Sequence, residues 1–402
     1  MIETRKIQIN VLFASALIAT ISWRMAFSFL GASIAKMLYA LCMWIVVILS
    51  MHYTQRSTFD KKTRIAIFIL IGMAFVSLGI SVFYPDNLHV ANKWLTLFGN
   101  PFCFLTMIAP LFVYLSNINS IIKYIKVYFQ YFLLIGLPFV FLSPMGYSSF
   151  FWFVPLFFPY LNKVYRMLCL LMIGCSIFTA FFADETSRTN MLILFFCILN
   201  YMMVSIFKDK RSLLRYYCLT LIFLPMVYSI LTLIEPGFSI FEIIFNWLSG
   251  QTSDTQLVAD TRSFLFAEIH EDLSKTNSWL LGKGADGHYY SLFFDHRDAV
   301  DSSNRMAVEV TFLMLLLRGG VIYTVGYYLI LILAVLKTLK YARSNFMLSC
   351  ALMISAWSFM TFVSLFYGCD LLHVLFFAIV GCCCSSYWLS KDDNQIKSII
   401  LQ

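Results

Sequence analysis

The sequence predicts an all-α polytopic membrane protein with about twelve transmembrane helices and one large external loop. Of its 402 residues, 60% are hydrophobic and only 12% are charged, and the mean hydropathy is +0.80. Soluble proteins carry about 25% charged residues, so this chain has about half the charge that a water-facing surface needs. The composition therefore excludes a soluble enzyme, a secreted disulfide domain and a disordered chain. The solid apolar runs also exclude a membrane β-barrel, whose strands alternate.

The predicted spans are the stretches that lack Asp, Glu, Lys and Arg, taken against the ~20 residues that a spanning helix needs. They are residues 7–23, 37–55, 65–85, 94–122, 127–162, 167–183, 189–207, 216–234, 319–336, 344–369 and 371–390. The stretch 127–162 is too long for one helix, and Pro144 and Gly146 interrupt its middle, so we divide it into two short spans. The result is twelve spans in a single integral membrane domain over residues 1–402.

The distribution of basic residues predicts the orientation. If the N-terminus is cytoplasmic, nineteen of the 29 Lys and Arg residues lie at the cytoplasmic ends of the spans. The short outer loops contain only Arg24, Lys36, Lys93 and Arg188. This is a strong positive-inside bias, and it predicts that both termini are cytoplasmic. The net charge of +8 follows from these residues and requires no nucleic-acid partner.

Residues 235–306 form the one long non-membrane segment, an external loop between the ninth and tenth spans. It contains eleven of the chain's 21 acidic residues. It also has too many large apolar and aromatic side chains to stay solvated, so we expect short amphipathic helices that fold back onto the membrane or the bundle.

One helix is predicted at 261–273, with Asp260 as its N-cap. Arg262 lies in its first turn, on the same face as an apolar stripe made of Leu265, Phe266, Ile269 and Leu273. A guanidinium beside unpaired backbone N–H groups is a good site for an anion such as a phosphate. Alternatively, Arg262 extends to the interface or pairs with a nearby carboxylate.

A glycine-rich piece at 281–290 follows, with the sequence LGKGADGHYY. It is not a nucleotide-binding loop, because its lysine is followed by glycine. Its glycines allow the backbone either to approach a ligand closely or simply to turn. His288 is a candidate proton acceptor or an exposed loop histidine. The loop has no Asp-x-Asp pair, and the later Asp295, Asp298 and Asp301 lack the spacing of a calcium site, so we expect no metal.

Charged residues at or within spans are costly and usually functional, with anchoring at the interface as the alternative. Arg188 opens the eighth span, Glu309 lies in the outer turn of the tenth, and Arg318 lies deeper in that helix. Arg305 and Glu309 are four residues apart, which predicts that they face each other on one side of the helix.

Taken together, these features resemble the O-antigen polymerase and O-antigen ligase superfamily of bacterial envelope polysaccharide enzymes. The resemblance covers the multi-span layout with one large periplasmic loop late in the chain. Locally it rests on four pieces: SRTNML at 187–192, DTRSFLFAEIHEDL at 260–273, a Gly-x-Gly at 282–284 and LRGGVIY at 317–323.

The sequence departs from the ligase pattern at one position. Such ligases typically have a His-Asn pair about eleven residues before the glycine that is Gly319 here, and this chain has Val308 and Glu309 there. The missing histidine favours a polymerase over a ligase.

The resemblance implies a glycosyltransferase of the bacterial inner membrane that acts at its periplasmic face. Its substrate would be an undecaprenyl-diphosphate-linked oligosaccharide, with membrane lipids as its surroundings and a chain-length-regulating protein as an optional partner. Arg188, Arg262, Arg305 and Arg318 would bind the diphosphate, and Glu309 or His288 would act as the base, without cofactor or metal. An O-antigen ligase and a flippase or transporter of lipid-linked glycan are the alternatives.

Overall fold

The structure is a computed structural model that describes residues 2–25, 32–54, 58–83, 90–140, 148–182, 188–235, 263–291, 304–305, 308–364 and 368–401. Within these ranges the chain is almost entirely helical. The α-helices are α1 Ile2–Met25, α2 Ala32–His52, α3 Lys61–Phe83, α4 Val90–Gly99, α5 Phe104–Ile108, α6 Ile121–Val140, α7 Val154–Phe157, α8 Lys163–Phe182, α9 Arg188–Phe207, α10 Arg211–Ile234, α11 Ser263–Lys275, α12 Thr311–Tyr341, α13 Asn345–Val363, α14 Leu371–Cys384, α15 Ser386–Leu389 and α16 Asp393–Leu401. Three 3₁₀-helices occupy Ala109–Asn117, Ser148–Phe153 and Phe158–Tyr160.

The helices are those of a multi-pass membrane protein. Among the described residues, six helical segments are long and apolar enough to cross a bilayer, and four shorter apolar helices accompany them. The six are Ile34–His52, Lys61–Phe83, Lys93–Asn117, Arg211–Ile234, Thr311–Tyr341 and Asn345–Val363. Each of the twelve predicted spans overlaps at least one helix, while the number of membrane crossings stays a prediction.

Helix α13 lies at the centre of the bundle and α3 at its edge. Of the apolar window of α13, 89% is buried inside the protein, against 28% of the window of α3. The outer helices expose large apolar side chains, such as Phe68 at 77% and Met167 at 72% of their surface. Water would solvate such surfaces poorly, whereas lipid tails solvate them well.

The segment predicted as the fourth span is not one continuous α-helix. Helix α4 ends at Gly99, α5 begins at Phe104, and a 3₁₀-helix runs from Ala109 to Asn117. The physical reason is two prolines, Pro101 and Pro110, which have no backbone N–H to donate and interrupt the regular hydrogen-bond pattern.

The division of the 127–162 stretch can be compared with the structure only at its ends. The described part of α6 reaches Val140, and a described 3₁₀-helix begins at Ser148. The predicted turn at Pro144 and Gly146 lies outside the described residues.

Between α10 and α12, the described residues form helix α11, a loop at 276–291 and a short strand pair. Strands β1 (Tyr289–Tyr290) and β2 (Asn304–Arg305) are antiparallel, with Tyr289 opposite Arg305. Helix α11 packs on α10 and α12, which places the loop beside the N-terminal part of α12.

Candidate functional site

Helix α12 is broken within its length, at a position that the sequence marks with two adjacent glycines. Gly320 has φ 66° and ψ −172°, a backbone conformation that is essentially restricted to glycine. In a regular helix the N–H groups of Val321 and Ile322 would bind the carbonyls of Leu317 and Arg318. Here the break separates those two pairs, so four backbone groups need other partners.

The loop supplies all four partners. The N–H of Val321 donates to the carbonyl of Trp279 at 2.8 Å, and that of Ile322 donates to the carbonyl of Leu280 at 3.4 Å. In return, the N–H of Lys283 donates to Leu317 at 2.7 Å, and that of Gly284 donates to Arg318 at 3.2 Å. Because an unsatisfied backbone group costs several kcal/mol in a bilayer, residues 279–284 make this break tolerable. We call this arrangement the loop–helix junction.

The glycines of the 281–290 piece allow the loop to approach the chain's own helix. A Cβ at Gly282 would lie 2.5 Å from the carbonyl oxygen of Arg318 and 2.6 Å from the nitrogen of Gly320. Gly284, with φ 97°, meets α3 in the same way, because a Cβ there would lie 2.5 Å from Oγ of Ser81. The sequence analysis expected an approach to a ligand or a simple turn, whereas the close approach that is observed is to the protein's own helices α12 and α3.

Arg318 is completely buried beside the loop–helix junction. Its side chain is 0% exposed and lies about 10 Å into α12, counting from Thr311 at 1.5 Å per residue. The guanidinium hydrogen-bonds the thiol of Cys103, which also lies within electrostatic range of Asp286. The deep position predicted for Arg318 is therefore the one observed, and two neighbours join it that the sequence did not single out.

Asp286 is one of these missed residues. It is 4% exposed, and its N–H donates to Oγ of Ser81 at 3.2 Å, while the neighbouring Ala285 donates to the carbonyl of Ser77 at 3.1 Å. The hydroxyl of Ser77 in turn donates to the carbonyl of Arg318 at 2.8 Å. The signal in the sequence was that Asp286 is the one carboxylate in the glycine-rich piece.

Arg305 and Glu309 lie near each other, but not on a helix. Arg305 is in β2, and Glu309 is an exposed residue that precedes the start of α12 at Thr311. The prediction that both lie on one side of a helix, with Glu309 in its outer turn, was wrong. The strand pairing with Tyr289 keeps residues 304–305 extended, and α12 begins only after Val310.

What Arg305 and Glu309 share is the phenol of Tyr289, which is 1% exposed. Burial raises the pKa of Tyr289 to about 12; the charge of Arg305 opposes this increase, and the carboxylates of Glu268 and Glu309 add to it. Glu268 also accepts a hydrogen bond from Ser291 at 3.0 Å. The cluster therefore holds one cation and two anions around a neutral phenol.

His288 is half-buried, and along the loop it lies between Asp286 and Tyr289. Its backbone carbonyl accepts a hydrogen bond at 2.7 Å from Lys283 Nζ, which also forms a 2.9 Å ion pair with Asp272 of α11. This lysine connects α11 to the 281–290 piece and holds the backbone of His288 in place.

The two remaining predicted arginines cannot be compared at the level of side chains. Arg188 is the first residue of α9, as predicted, but its side chain lies outside the described residues. Arg262 lies outside them as well, since the description of α11 begins at Ser263, and so do Asp295, Asp298 and Asp301. The apolar stripe of α11 is buried as predicted: Leu265, Phe266, Ile269 and Leu273 are each at most 5% exposed.

A second group of polar residues, which the sequence analysis did not identify, lies at the start of α14 and is partly buried. Asp370 caps this helix by accepting from the N–H of His373, and its carboxylate lies 2.9 Å from Nδ1 of the same residue. Tyr39 donates to the carbonyl of Cys369 at 2.5 Å and interacts electrostatically with Asp370 and Cys103. Asp370 was visible in the sequence as the single charge between two apolar runs.

The fold and this site define a multi-pass α-helical membrane protein in which a loop completes a broken helix beside a buried arginine. Of the six predicted site residues, His288 lies within residues 279–290, Arg305 and Arg318 hydrogen-bond or pair with them, and the charge of Glu309 acts on Tyr289. No protein-family model, curated protein or solved structure matches this chain.

Proposed function

We propose that this protein is a membrane glycosyltransferase that polymerises undecaprenyl-diphosphate-linked oligosaccharide repeat units of O-antigen, capsule or exopolysaccharide. The observation that supports the proposal is the loop of residues 279–290, which hydrogen-bonds the broken helix beside Arg318 and pairs with Arg305 at Tyr289. A substrate with a lipid tail, a diphosphate and sugars needs this combination of membrane access, fixed positive charge and a polar outer surface. The resemblance of the sequence to polysaccharide polymerases supports the same function.

In the proposed reaction, a hydroxyl oxygen of the acceptor sugar attacks the anomeric carbon of the donor glycan. The bond from that carbon to the diphosphate oxygen breaks, and the lipid diphosphate leaves with the electron pair. Arginine forks compensate its growing negative charge, which is the role we assign to Arg188, Arg262, Arg305 and Arg318. Glu309 or His288 takes the hydroxyl proton. Because the arginines supply the positive charge, we expect turnover without a metal.

The test is purified full-length protein in liposomes that contain a lipid-linked repeat unit as the sole substrate. Longer lipid-linked glycans that form without ATP, an ion gradient or a divalent metal support the proposal. Loss of the reaction on addition of a chelator contradicts the metal-independent mechanism. A ligase would leave the repeat unit unextended, because it needs a different acceptor.

Arg262 offers the sharpest single-residue test. Arg262→Ala should abolish extension at a normal protein level, and Arg262→Lys should impair it, because a point charge cannot reproduce the bidentate grip of a guanidinium. The matched control is Lys275→Ala, since Lys275 is a basic residue of α11 whose side chain is 72% exposed and pairs with Glu271 one turn away. Full-length glycan from Arg262→Ala would contradict the diphosphate-binding role.

A flippase or transporter of lipid-linked glycan is the second candidate, and the break at Gly320 is the observation that favours it. Discontinuous spanning helices commonly line the substrate sites of transporters. In the same liposomes, movement of the lipid-linked glycan to the other leaflet without new glycosidic bonds would identify transport.

The proposed orientation of the protein, with both termini cytoplasmic in a bacterial inner membrane, is tested by reporter fusions at each terminus.

A further inference from the structure

A basic pocket lies away from the loop–helix junction, where α16 packs against α6 and the 3₁₀-helix Phe158–Tyr160. Its volume is about 460 Å³, within the range of about 300–1,000 Å³ that is typical of small-molecule sites. Three cations line it, Lys126, Arg166 and Lys397, and the described residues of its lining include no Asp or Glu. The pocket therefore favours an anion.

Two of these cations donate to carbonyl oxygens, which are neutral and therefore do not cancel their charge. Lys126 Nζ donates to the carbonyl of Ile400 at 3.2 Å, and Arg166 Nη2 donates to that of Pro159 at 2.7 Å. Lys397 is exposed at the mouth of the pocket. The carboxylate of Asp393 is not part of the lining and accepts hydrogen bonds from the backbone N–H and the side chain of Asn345 at 2.8 and 3.0 Å, although its charge reaches the lining residue Tyr160.

The start of α8 adds to the positive potential. Asn162, which lines the pocket, caps this helix by accepting from the N–H of Tyr165 at 3.0 Å. The positive end of the helix dipole therefore lies at the pocket wall, and Arg166 extends from the first turn. Lys123 and Lys163 bring two further positive charges to the same ends of α6 and α8.

Beyond the pocket, α8 presents an apolar surface that reaches along the bundle. Val164, Met167, Leu170 and Leu171 are 51–72% exposed, as side chains that face lipid would be. An occupant of this place therefore meets cations at one end and an apolar helix face at the other. A free inorganic anion would use only the first of these features, whereas a phospholipid would use both.

We propose that this pocket binds the phosphate headgroup of an anionic membrane phospholipid, whose acyl chains lie along α8. Lys126, Arg166 and Lys397 contact the phosphate, and Tyr160 and Gln130 offer polar groups to the rest of the headgroup. The proposal is independent of the reaction at the loop–helix junction. Basic pockets between spanning helices are a recognised form of lipid site, with each cation near an anionic membrane surface contributing several-fold in affinity.

The test is native mass spectrometry of the full-length protein released from mixed micelles that contain equal phosphatidylglycerol and phosphatidylcholine. The wild type should retain phosphatidylglycerol preferentially, and Lys397→Gln and Arg166→Gln should each weaken this preference about five-fold. Lys340→Gln is the control, since Lys340 is exposed and stacks on Tyr341 outside the pocket. Arg166→Lys keeps the positive charge and should retain the lipid. Loss of lipid in Arg166→Gln alone would then follow from the lost charge and not from the replacement of this arginine as such.

Two results would overturn the proposal. Equal retention of the two lipids by the wild type would show that the pocket does not select an anionic headgroup. Displacement of phosphatidylglycerol by millimolar inorganic phosphate, with phosphate alone raising thermal stability as much as the lipid does, would identify a free anion as the occupant.

Discussion

Replacement of Gly320 by alanine should open the loop–helix junction. The φ of 66° and ψ of −172° would cost a non-glycine residue about 1–3 kcal/mol. The new Cβ would also lie 2.6 Å from the nitrogen of Gly282 and overlap the carbonyl of Leu280. The loop must then move away, with the loss of four backbone hydrogen bonds worth about 0.5–1.5 kcal/mol each. We therefore expect the junction to lose at least ~3 kcal/mol of stability.

Hydrogen–deuterium exchange of the full-length protein in detergent measures this loss directly. The amides of Lys283 and Gly284 donate to α12, so their exchange in the wild type requires the junction to open. A loss of ~3 kcal/mol makes opening more than ~100-fold more frequent, which a peptide covering 281–287 reports as faster uptake. Gly282→Ala, which introduces the same clash from the loop side, should have the same effect.

The matched control is Gly79→Ala in α3, where a Cβ would have nothing within 4 Å. Alanine is favoured over glycine inside a helix by about 0.5–1 kcal/mol, so this variant should be neutral or slightly stabilised. A folded Gly320→Ala variant whose amides at 281–287 exchange at the wild-type rate would contradict this account, because the loop would then not complete the helix.

Three further predictions follow from individual contacts. Arg318→Lys should reduce glycan extension in liposomes at least ~10-fold, since a buried point charge cannot replace the guanidinium fork, and hydrogen exchange at the junction should not change. Unchanged extension would show that Arg318 does not take part in the reaction. Lys283→Met should destabilise α11 by about 1–3 kcal/mol, measured by its exchange, because Asp272 of a mostly buried ion pair loses its partner; unchanged exchange in α11 would contradict this. Partial burial alone would raise the pKa of Asp60, but hydrogen bonds from Lys337 and Thr63 lower it overall. The stabilising effect of Asp60 is therefore complete above the ordinary pKa of an aspartate and is lost as the pH falls. In a plot of melting temperature against pH, Asp60→Asn should flatten the acid side. A plot of unchanged shape would refute this.

Much of the helical framework was predictable because the bilayer imposes a simple constraint. A spanning segment must be apolar and must satisfy its own backbone, so the absence of charge over ~20 residues marks it without knowledge of its neighbours. The stripe of α11 was predictable for a related reason, since the period of 3.6 residues separates a buried face from a polar one. Leu265 and Ile269 are both fully buried on that face.

The candidate site was predictable only in part. Arg318 was singled out because charge within an apolar helix is costly and therefore conspicuous, and it is buried in α12. Glu309 was placed in the same helix but precedes it and is exposed. The pairing of Arg305 with Tyr289 was missed, and Arg305 was assigned to a helix, because the i to i+4 rule assumes a helix that the chain forms only from Thr311 onward. Asp286 and Cys103 were missed because their relation to Arg318 joins residues far apart along the chain.

By itself, the sequence determined that this is a multi-helix membrane protein, where its helices run and which charged residues are unusual, because these properties depend on local composition and period. Only the tertiary structure decided what those residues contact. The glycines at 282, 284 and 320 are the clearest case: any of them could have marked a turn or a ligand site. In the structure they allow the loop to lie close to the broken helix and to α3, in contacts that join residues far apart along the chain, and no local pattern encodes such a contact.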